Sequence, residues 1–316
     1  MRTESSKNNL IKLPTRNGIS PSCVWLPQES HSTLLDFLTQ RFHEIPRSTW
    51  ITRLEQGLVL NKQGIAFQID SLYVADQHIY YYRNIENEPS IPFYETVLYQ
   101  DEHLLVADKP HFLPVIPSGK YVQETLLSRL KNKLRLDDLA PIHRIDRETA
   151  GLVLFSVNPA TRDAYQALFR ERTIHKTYEA IAPFRQNLTM PMTYQSRMVK
   201  GEPFFRMKEV SGKANSETRL EILDSVGNFA KYRLSPITGK QHQLRVHLAA
   251  LGIPILYDAF YPELIDWSQL DGKEDYSKPL QLLAKQISFL DPITQQLRQF
   301  TSEQKLLDLE YVAVNS

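Results

Sequence analysis

A single cysteine, Cys23, stands in the 316 residues. That excludes an intramolecular disulfide and any zinc site built from several cysteines, and it fits a reducing compartment. No apolar run in the sequence approaches the roughly 18 to 20 residues of a membrane-spanning helix, so a soluble, cytoplasmic protein is expected. Charge of one sign is not in excess either: 37 Lys and Arg face 36 Asp and Glu, a formal net charge of +1. The overall balance names no partner, and any nucleic-acid footprint has to be a local basic face offset by acid elsewhere. Internal repeats of fixed period and low-complexity blocks are also lacking. Residues 1–16 are polar and basic without the apolar centre of a signal peptide, and residues 1–30 are expected to form a mobile tail.

What is present is apolar content of 42%, enough for sizeable cores in two domains or one large one. The stretch that organises the chain runs from His143 through Arg144, Ile145, Asp146, Arg147, Glu148, Thr149, Ala150 and Gly151 into the strand-like Leu152, Val153, Leu154 and Phe155. One carboxylate sits between two arginines at the entrance to a strand. Opposite charge and guanidinium hydrogen bonds favour the ionised carboxylate, and an ionised, oriented Asp can serve as nucleophile, base or metal ligand. On charges alone the alternative is a structural ion-pair cluster.

In chain order, residues 32–42 open with candidate caps at Ser32 and Thr33 and place Leu34, Leu35, Phe37, Leu38 and Phe42 on a helical face. Pro46 breaks this helix. A second one starts near Ser48, with Trp50, Ile51 and Leu54 inward and Gly57 as its stop. Strand-like pieces follow at 58–61, 65–67 and 78–82, with a turn at 62–64. Arg41, Arg47, Arg53 and Lys62 are candidates for a phosphate-contacting face, against the reading of ordinary solvated charge. A small domain over 31–83, a Pro- and Glu-bearing linker over 84–92 and a second domain over 93–316 are expected.

In the second domain, residues 94–99 and 104–107 read as strands, and residues 123–136 as a helix carrying Arg129, Lys131, Lys133 and Arg135 as a broad basic patch. Residues 159–172 have helical spacing with Ala164, Leu168 and Phe169 inward. The strand at 175–180 contains Tyr178, 32 residues after Asp146. That separation suits a strand, a helix and a return strand that brings Tyr178 alongside Asp146. A helix beginning near Lys240 would put Gln241, Leu244 and Leu248 on one face and His242, Arg245 and Ala249 on another. His242 and His247 are five apart where a shared helical face needs four, and no third ligand is offered, so no metal site is expected.

Several of these stretches resemble one family. His143 to Leu154 is similar to H-R-L-D-R-x-T-S-G-L-L-L, the signature of the RluA-type pseudouridine synthases, with eight or more positions agreeing in identity or close type. Lys176 and Tyr178 resemble its K-x-Y motif. The run from Thr238 to Leu248 resembles T-G-R-x-H-Q-I-R-x-H-(L/M), and Gly252 to Asp258 resembles G-x-P-I-x-G-D. The start at Asp101 to Pro110 and the stretch from Leu280 to Pro292 resemble the family's opening and C-terminal motifs, so the likeness covers about residues 93 to 300. Residues 45–57 are similar, in degenerate form, to the second helix and loop of the compact αL RNA-binding domain.

The sequence departs from the pattern at Phe112, where a glycine is usual, at Ala150 for Ser, at Lys240 for Arg and at Leu283 for His.

The resemblance implies an α+β fold, a mixed and mostly antiparallel sheet with flanking helices, plus a small N-terminal α/β RNA-binding module. It implies isomerisation of uridine in RNA to pseudouridine without a cofactor. Asp146, Tyr178 and Arg245 align with the family's catalytic residues, and Arg144, Arg147, Lys240 and His242 are expected to bind substrate. Asp146 acts either as nucleophile at C1′ or as base on the sugar. Ribosomal RNA of the large subunit is favoured over transfer RNA as partner, and a monomer is the default. Two other readings remain: an RNA-binding relative without activity, and a glycoside hydrolase, which needs two carboxylates roughly 5 to 9 Å apart across a sugar. Glu148 is too close in sequence to Asp146 for that.

Overall fold

The computed structural model describes residues 13–16, 18–83, 88–265 and 275–315. Residues 1–12 and 17 of the expected tail and residues 84–87 of the expected linker lie outside the described residues. The chain divides into two compact units, Met1–Pro89 with Ile116–Asp137, and Ser90–Val115 with Asp138–Ser316.

In the first unit the expected tail is partly structured. Ser22–Leu26 (β1) pairs with Gln77–Tyr81 (β3), which also pairs with Val59–Leu60 (β2), giving an antiparallel sheet of order β1-β3-β2. The expected hairpin between residues 58–61 and 65–67 is present in short form: Leu60 bridges Ala66, and Asn61 N and Phe67 N donate to the Ile65 and Val59 carbonyls at 2.9 Å. Helix α1, Leu34–Arg41, is capped by Thr33, whose hydroxyl accepts from the Asp36 N–H at 3.1 Å. This helix stops at Arg41 with Phe42 as C-cap, ahead of the expected break at Pro46, which is instead the N-cap of α2, Arg47–Glu55. Leu34, Leu35, Phe37, Leu38, Trp50 and Leu54 form the core with the sheet, each worth about 1.5–3 kcal/mol of apolar burial. Arg53 is buried with its guanidinium over the Trp50 ring at 4.7 Å, so it does not join an exposed phosphate-contacting face.

Helix α3, Leu126–Leu134, belongs to this unit and not to the expected second domain. The reason is a set of polar ties. The Glu88 carboxylate accepts backbone N–H bonds from Val122, Gln123 and Glu124 at 2.7–2.9 Å, Lys131 Nζ donates to Ser20 Oγ at 3.1 Å, and Thr15 donates to Asp137 at 2.6 Å. The expected basic patch is correspondingly smaller, because Lys131 is buried and Arg129 pairs with Glu124.

The second unit is an α+β structure around an 11-stranded sheet. Its strands are Thr96–Gln100 (β4), Leu104–Lys109 (β5), Ala140–Pro141 (β6), Ala150–Ser156 (β7), His175–Pro183 (β8), Met192–Lys200 (β9), Met207–Val210 (β10), Ser216–Val226 (β11), Phe229–Pro236 (β12), Leu282–Leu290 (β13) and Leu297–Thr301 (β14). The order is β10-β9-β11-β12-β8-β13-β7-β5-β4, with β14 on β13 and β6 on β7. All pairings are antiparallel except β13 with β7. Every residue of β7 is buried, as its unbroken apolar run requires of a central strand covered on both faces.

Helix α4, Arg162–Arg170, connects β7 to β8 and buries Tyr165 and Leu168, not the expected Ala164. Helix α5, Gln243–Ala250, packs Leu244 and Leu248 on a core shared with β8, β11 and β12, and α6, Leu309–Asn315, closes a smaller cluster with Ile181. Among the described residues no helix is long and apolar enough to cross a membrane.

Strand β13 corrects the expected neighbourhood of Tyr178. It enters between β7 and β8, so that Tyr178 stands opposite Ala284 and Ala284 opposite Gly151. The approach is close: a β-carbon at residue 151 would lie 2.3 Å from the Ala284 carbonyl oxygen, and Gly151 has φ +108°. Glycine is the residue that fits both constraints.

Candidate active site

Asp146 lies in the loop before β7, which is fixed from below. Lys109, at the end of β5 and fully buried, donates from Nζ to the carbonyls of Pro110 at 2.9 Å and Arg147 at 3.0 Å. Burial pulls its ammonium down to about 7, against the opposing pull of Glu148 and Asp146. His111 Nδ1 is 2.7 Å from the Glu148 carbonyl and must be the donor there; burial lowers this imidazole to about 4. Phe112 takes φ +67°, the conformation a glycine adopts readily, and its ring stacks on Phe93 at 5.8 Å. The loop therefore keeps a left-handed residue where the usual glycine is replaced.

Arg245, on α5, meets Asp146 from the other side. Its Nε donates to Asp258 Oδ2 at 2.8 Å and its Nη2 to Asp258 Oδ1 at 2.7 Å, a bidentate pair with a fully buried side chain. Nη1 then donates to Asp146 Oδ2 at 3.3 Å and lies 3.7 Å from Glu148 Oε2. Burial works against the charge on Arg245, but Asp258 and then Asp146 and Glu148 more than offset it and hold its pKa above the ordinary arginine value. The guanidinium also lies over the Phe260 ring at 4.7 Å. Arg245 is 1% exposed whereas the Asp146 side chain is 24% exposed, so the carboxylate is reachable and its clamp is not.

Asp146 and Glu148 share one guanidinium, lying 3.3 and 3.7 Å from its Nη1.

The expected helix start at Lys240 is displaced. His242 has φ +54° and is the N-cap of α5, which begins only at Gln243. The Gln243 side chain holds this turn by accepting from Thr238 Oγ1 at 2.7 Å and Lys240 N at 3.0 Å and donating to the Glu217 carbonyl at 2.9 Å. The turn aims His242 Nε2 toward Asp146 Oδ1 at 3.9 Å, with Nδ1 2.9 Å from the Tyr261 hydroxyl. Burial lowers the His242 imidazole below its usual range despite the Asp146 charge. His247 faces elsewhere, toward Ser216 at 2.9 Å and Thr218 at 3.0 Å. Among the described residues no group of three His, Cys, Asp or Glu side chains is arranged to hold a metal.

Tyr178 is half-buried on β8. Burial, reinforced by the Asp146 charge, pushes its phenol well above the ordinary value, which places a protonated hydroxyl in the field of the carboxylate. Arg144 is exposed, and Arg147 lies 3.4 Å from Glu148 through Nη1 with its guanidinium 6.0 Å from the Phe112 ring. Lys240 is exposed at the turn. Of the seven residues expected from sequence, Asp146, Tyr178, Arg245 and His242 converge, whereas Arg144, Arg147 and Lys240 stand around them. His143, beside Asp146 in sequence, is structural: its Nε2 accepts from Leu154 N at 3.1 Å, its ring stacks on Phe169 at 4.6 Å, and burial lowers it to about 3.

Sequence reasoning gave no role to Asp258, Lys109 or His111. The first two sit inside matched motifs, the signal that could have found them. His111 carries no comparable mark.

The sheet agrees with what comparison finds. The profile of the RNA pseudouridylate synthase family matches residues 103–250. The dual-specificity RNA pseudouridine synthase RluA of Haemophilus influenzae is 33% identical over 228 residues, 69% of this chain and 97% of that protein. An uncharacterized RNA pseudouridine synthase of Synechocystis sp. is 31% identical over 72% of this chain and 79% of its own length. Among solved structures, human RNA pseudouridylate synthase domain containing 4 superposes with a TM-score of 0.51 at 27% identity, over 69% of this chain and 91% of that one. The chain belongs to the RluA-type pseudouridine synthases. It is an RNA-modifying isomerase of that class.

Proposed function

We propose that the enzyme isomerises one or more uridines of structured RNA, with large-subunit ribosomal RNA favoured over transfer RNA and Asp146 as the catalytic carboxylate. The observation that carries this is the grip of Asp258 on the Nε–Nη2 edge of Arg245, which leaves Nη1 to aim the partly exposed Asp146. The reaction breaks the bond from C1′ to N1, turns the uracil and joins C1′ to C5. N1 gains a proton and C5 loses one, so the composition of the RNA is unchanged. Asp146 acts at C1′ or on the sugar, where a fixed, reachable carboxylate is required. The target atom lies inside a stacked base, so the nucleotide is flipped out. Arg144, exposed on the same loop, reaches into the vacated space; Tyr178 packs on the flipped ring and His242 closes the other side of the carboxylate.

The preference for ribosomal RNA rests on a relative of that name, the ribosomal large subunit pseudouridine synthase C of Vibrio cholerae, 29% identical over 75% of its length, and on the small first unit as a second RNA grip. A cytoplasmic monomer fits this role.

The test is carbodiimide mapping of pseudouridine in total RNA from cells with the gene intact, deleted, and restored as wild type or Asp146→Ala. Sites in large-subunit ribosomal RNA should vanish on deletion and return only with wild type. Survival of every site would remove the proposal, and sites confined to transfer RNA would correct the substrate.

A further inference from the structure

A cationic hollow lies on the same compact unit, lined in part by the turn that leads to His242 and by β8 two residues before Tyr178. It is a pocket of about 300 Å³ whose lining includes Phe169, Arg170, Arg172, Lys176, Thr238 and Lys240. Four of these side chains are cationic and no carboxylate lines the pocket. Arg170 is paired outward with Asp163 at 3.2 Å, in an exposed ion pair of little strength. Arg172, Lys176 and Lys240 have no carboxylate partner among the described residues. Lys176 is the least solvated of them. Its Nζ sits under the turn at Gly239, where a β-carbon would be 3.9 Å away, and burial together with the Arg172 charge lowers its pKa. Thr238 offers nothing further, because its hydroxyl already donates to Gln243 and accepts from Glu217 N. The pocket is thus built for an anion that supplies several acceptors at once.

Its position narrows the anion. Lys176 and Tyr178 are two apart on β8, so their side chains share one face of the sheet about 7 Å apart along the strand. An anion held there lies beside a base packed on Tyr178, at the distance of a phosphate flanking that nucleotide.

We infer that this pocket is a phosphodiester subsite, in which Arg172, Lys176 and Lys240 hold a backbone phosphate of the RNA next to the nucleotide at Asp146. The inference rests on the proposed RNA substrate. It gives the flipped nucleotide a fixed tether on one side, since phosphate contacts position a nucleic acid without reading its sequence.

The experiment measures binding of a short fluorescein-labelled oligouridylate to the full chain across a series of salt concentrations, without turnover. Arg172→Gln, Lys176→Gln and, as a control, Arg219→Gln at an exposed cation of β11 that does not line the pocket are compared with wild type. Removing one cation that neutralises a phosphate of a single strand should make the slope of log K against log salt shallower by about 0.7. Arg172→Gln and Lys176→Gln should show that change with several-fold weaker binding, and Arg219→Gln should not. Arg172 is exposed, so its variant decides the matter even where Lys176→Gln folds poorly.

Wild-type slopes in both pocket variants, or an equal change in Arg219→Gln, would overturn the subsite. Titration of inorganic phosphate separates the other source of this chemistry. Phosphate binding that disappears in the variants while their oligouridylate slopes stay at wild type would assign the pocket to a free phosphate group and overturn the RNA subsite. Absence of isomerisation by wild type sinks the proposed function, whereas the slopes report on the pocket alone.

Discussion

Arg245 is held through Nε and Nη2 by the buried Asp258 and touches Asp146 only through Nη1, at 3.3 Å. One guanidinium therefore divides its donors between a carboxylate that fixes it and a carboxylate that is open to substrate. The planar fork makes this possible, and a lysine at this place would lack it.

Asp258→Asn is expected to loosen the clamp without touching substrate. Displacement of Arg245 by a fraction of its length should lower kcat by up to about a hundredfold. Breaking a buried pair costs about 3–5 kcal/mol, and the low end is expected because Asp146 and Glu148 remain near the cation. Single-turnover tritium release and urea unfolding read the two effects. Unchanged kcat in a folded variant would deny Asp258 a positioning role.

Asp146→Asn should abolish isomerisation and leave RNA binding in place. The side chain is partly exposed and Arg245 keeps Asp258, so the stability change should stay within about 1 kcal/mol. Residual turnover near the wild-type rate would move the catalytic carboxylate elsewhere.

For Tyr178, the ring and the hydroxyl are separable. Tyr178→Phe should keep RNA affinity and lose rate, because packing on the base survives while the hydroxyl does not; Tyr178→Ala should lose both. The raised phenol also predicts that no loss of activity from Tyr178 ionisation is seen up to about pH 10, its ordinary value. A Tyr178→Phe enzyme with wild-type kcat would confine Tyr178 to packing.

Lys109 gives a pH signature. In the unfolded chain a lysine titrates near about 10.4, whereas in the fold Lys109 titrates at about 7. Below pH 7 both states are protonated and the fold carries the full cost of a buried ammonium. Between the two values the unfolded chain binds more protons, so stability rises with pH. The unfolding free energy of wild type minus that of Lys109→Met should increase by up to about 1.4 kcal/mol per pH unit above 7. A difference that stays flat from pH 7 to 10 would contradict the burial argument.

His143→Ala should cost stability and not chemistry. It strands the Leu154 N–H, a loss of about 1–3 kcal/mol, while kcat of the folded fraction is retained. A pH–rate limb that disappears in His143→Ala would contradict this structural role.

The sequence by itself determined what local chemistry writes. The continuous apolar run of residues 152–155 made a buried strand, Thr33 made a cap, Gly57 made a helix stop, and the charged loop around Asp146 marked the candidate site. Family motifs carried Tyr178 and Arg245 to it across long separations. Tertiary structure alone decided the rest. Strand β13 inserted itself between β7 and β8, which no spacing between Asp146 and Tyr178 records, because sheet order depends on a strand formed about 100 residues later. Likewise Arg53 turned inward onto Trp50 and helix α3 joined the first unit through Glu88, since a charge pattern states which groups are present and not which partners burial will offer them. The start of α5 was misplaced because the left-handed His242 is imposed by the Gln243 contacts with Thr238, Lys240 and β11, and a helical period cannot foresee a turn held from outside. Asp258 became the partner of Arg245 for the same reason: a side chain fully buried in the fold must find its counter-charge there, and only the packed chain shows which one it finds.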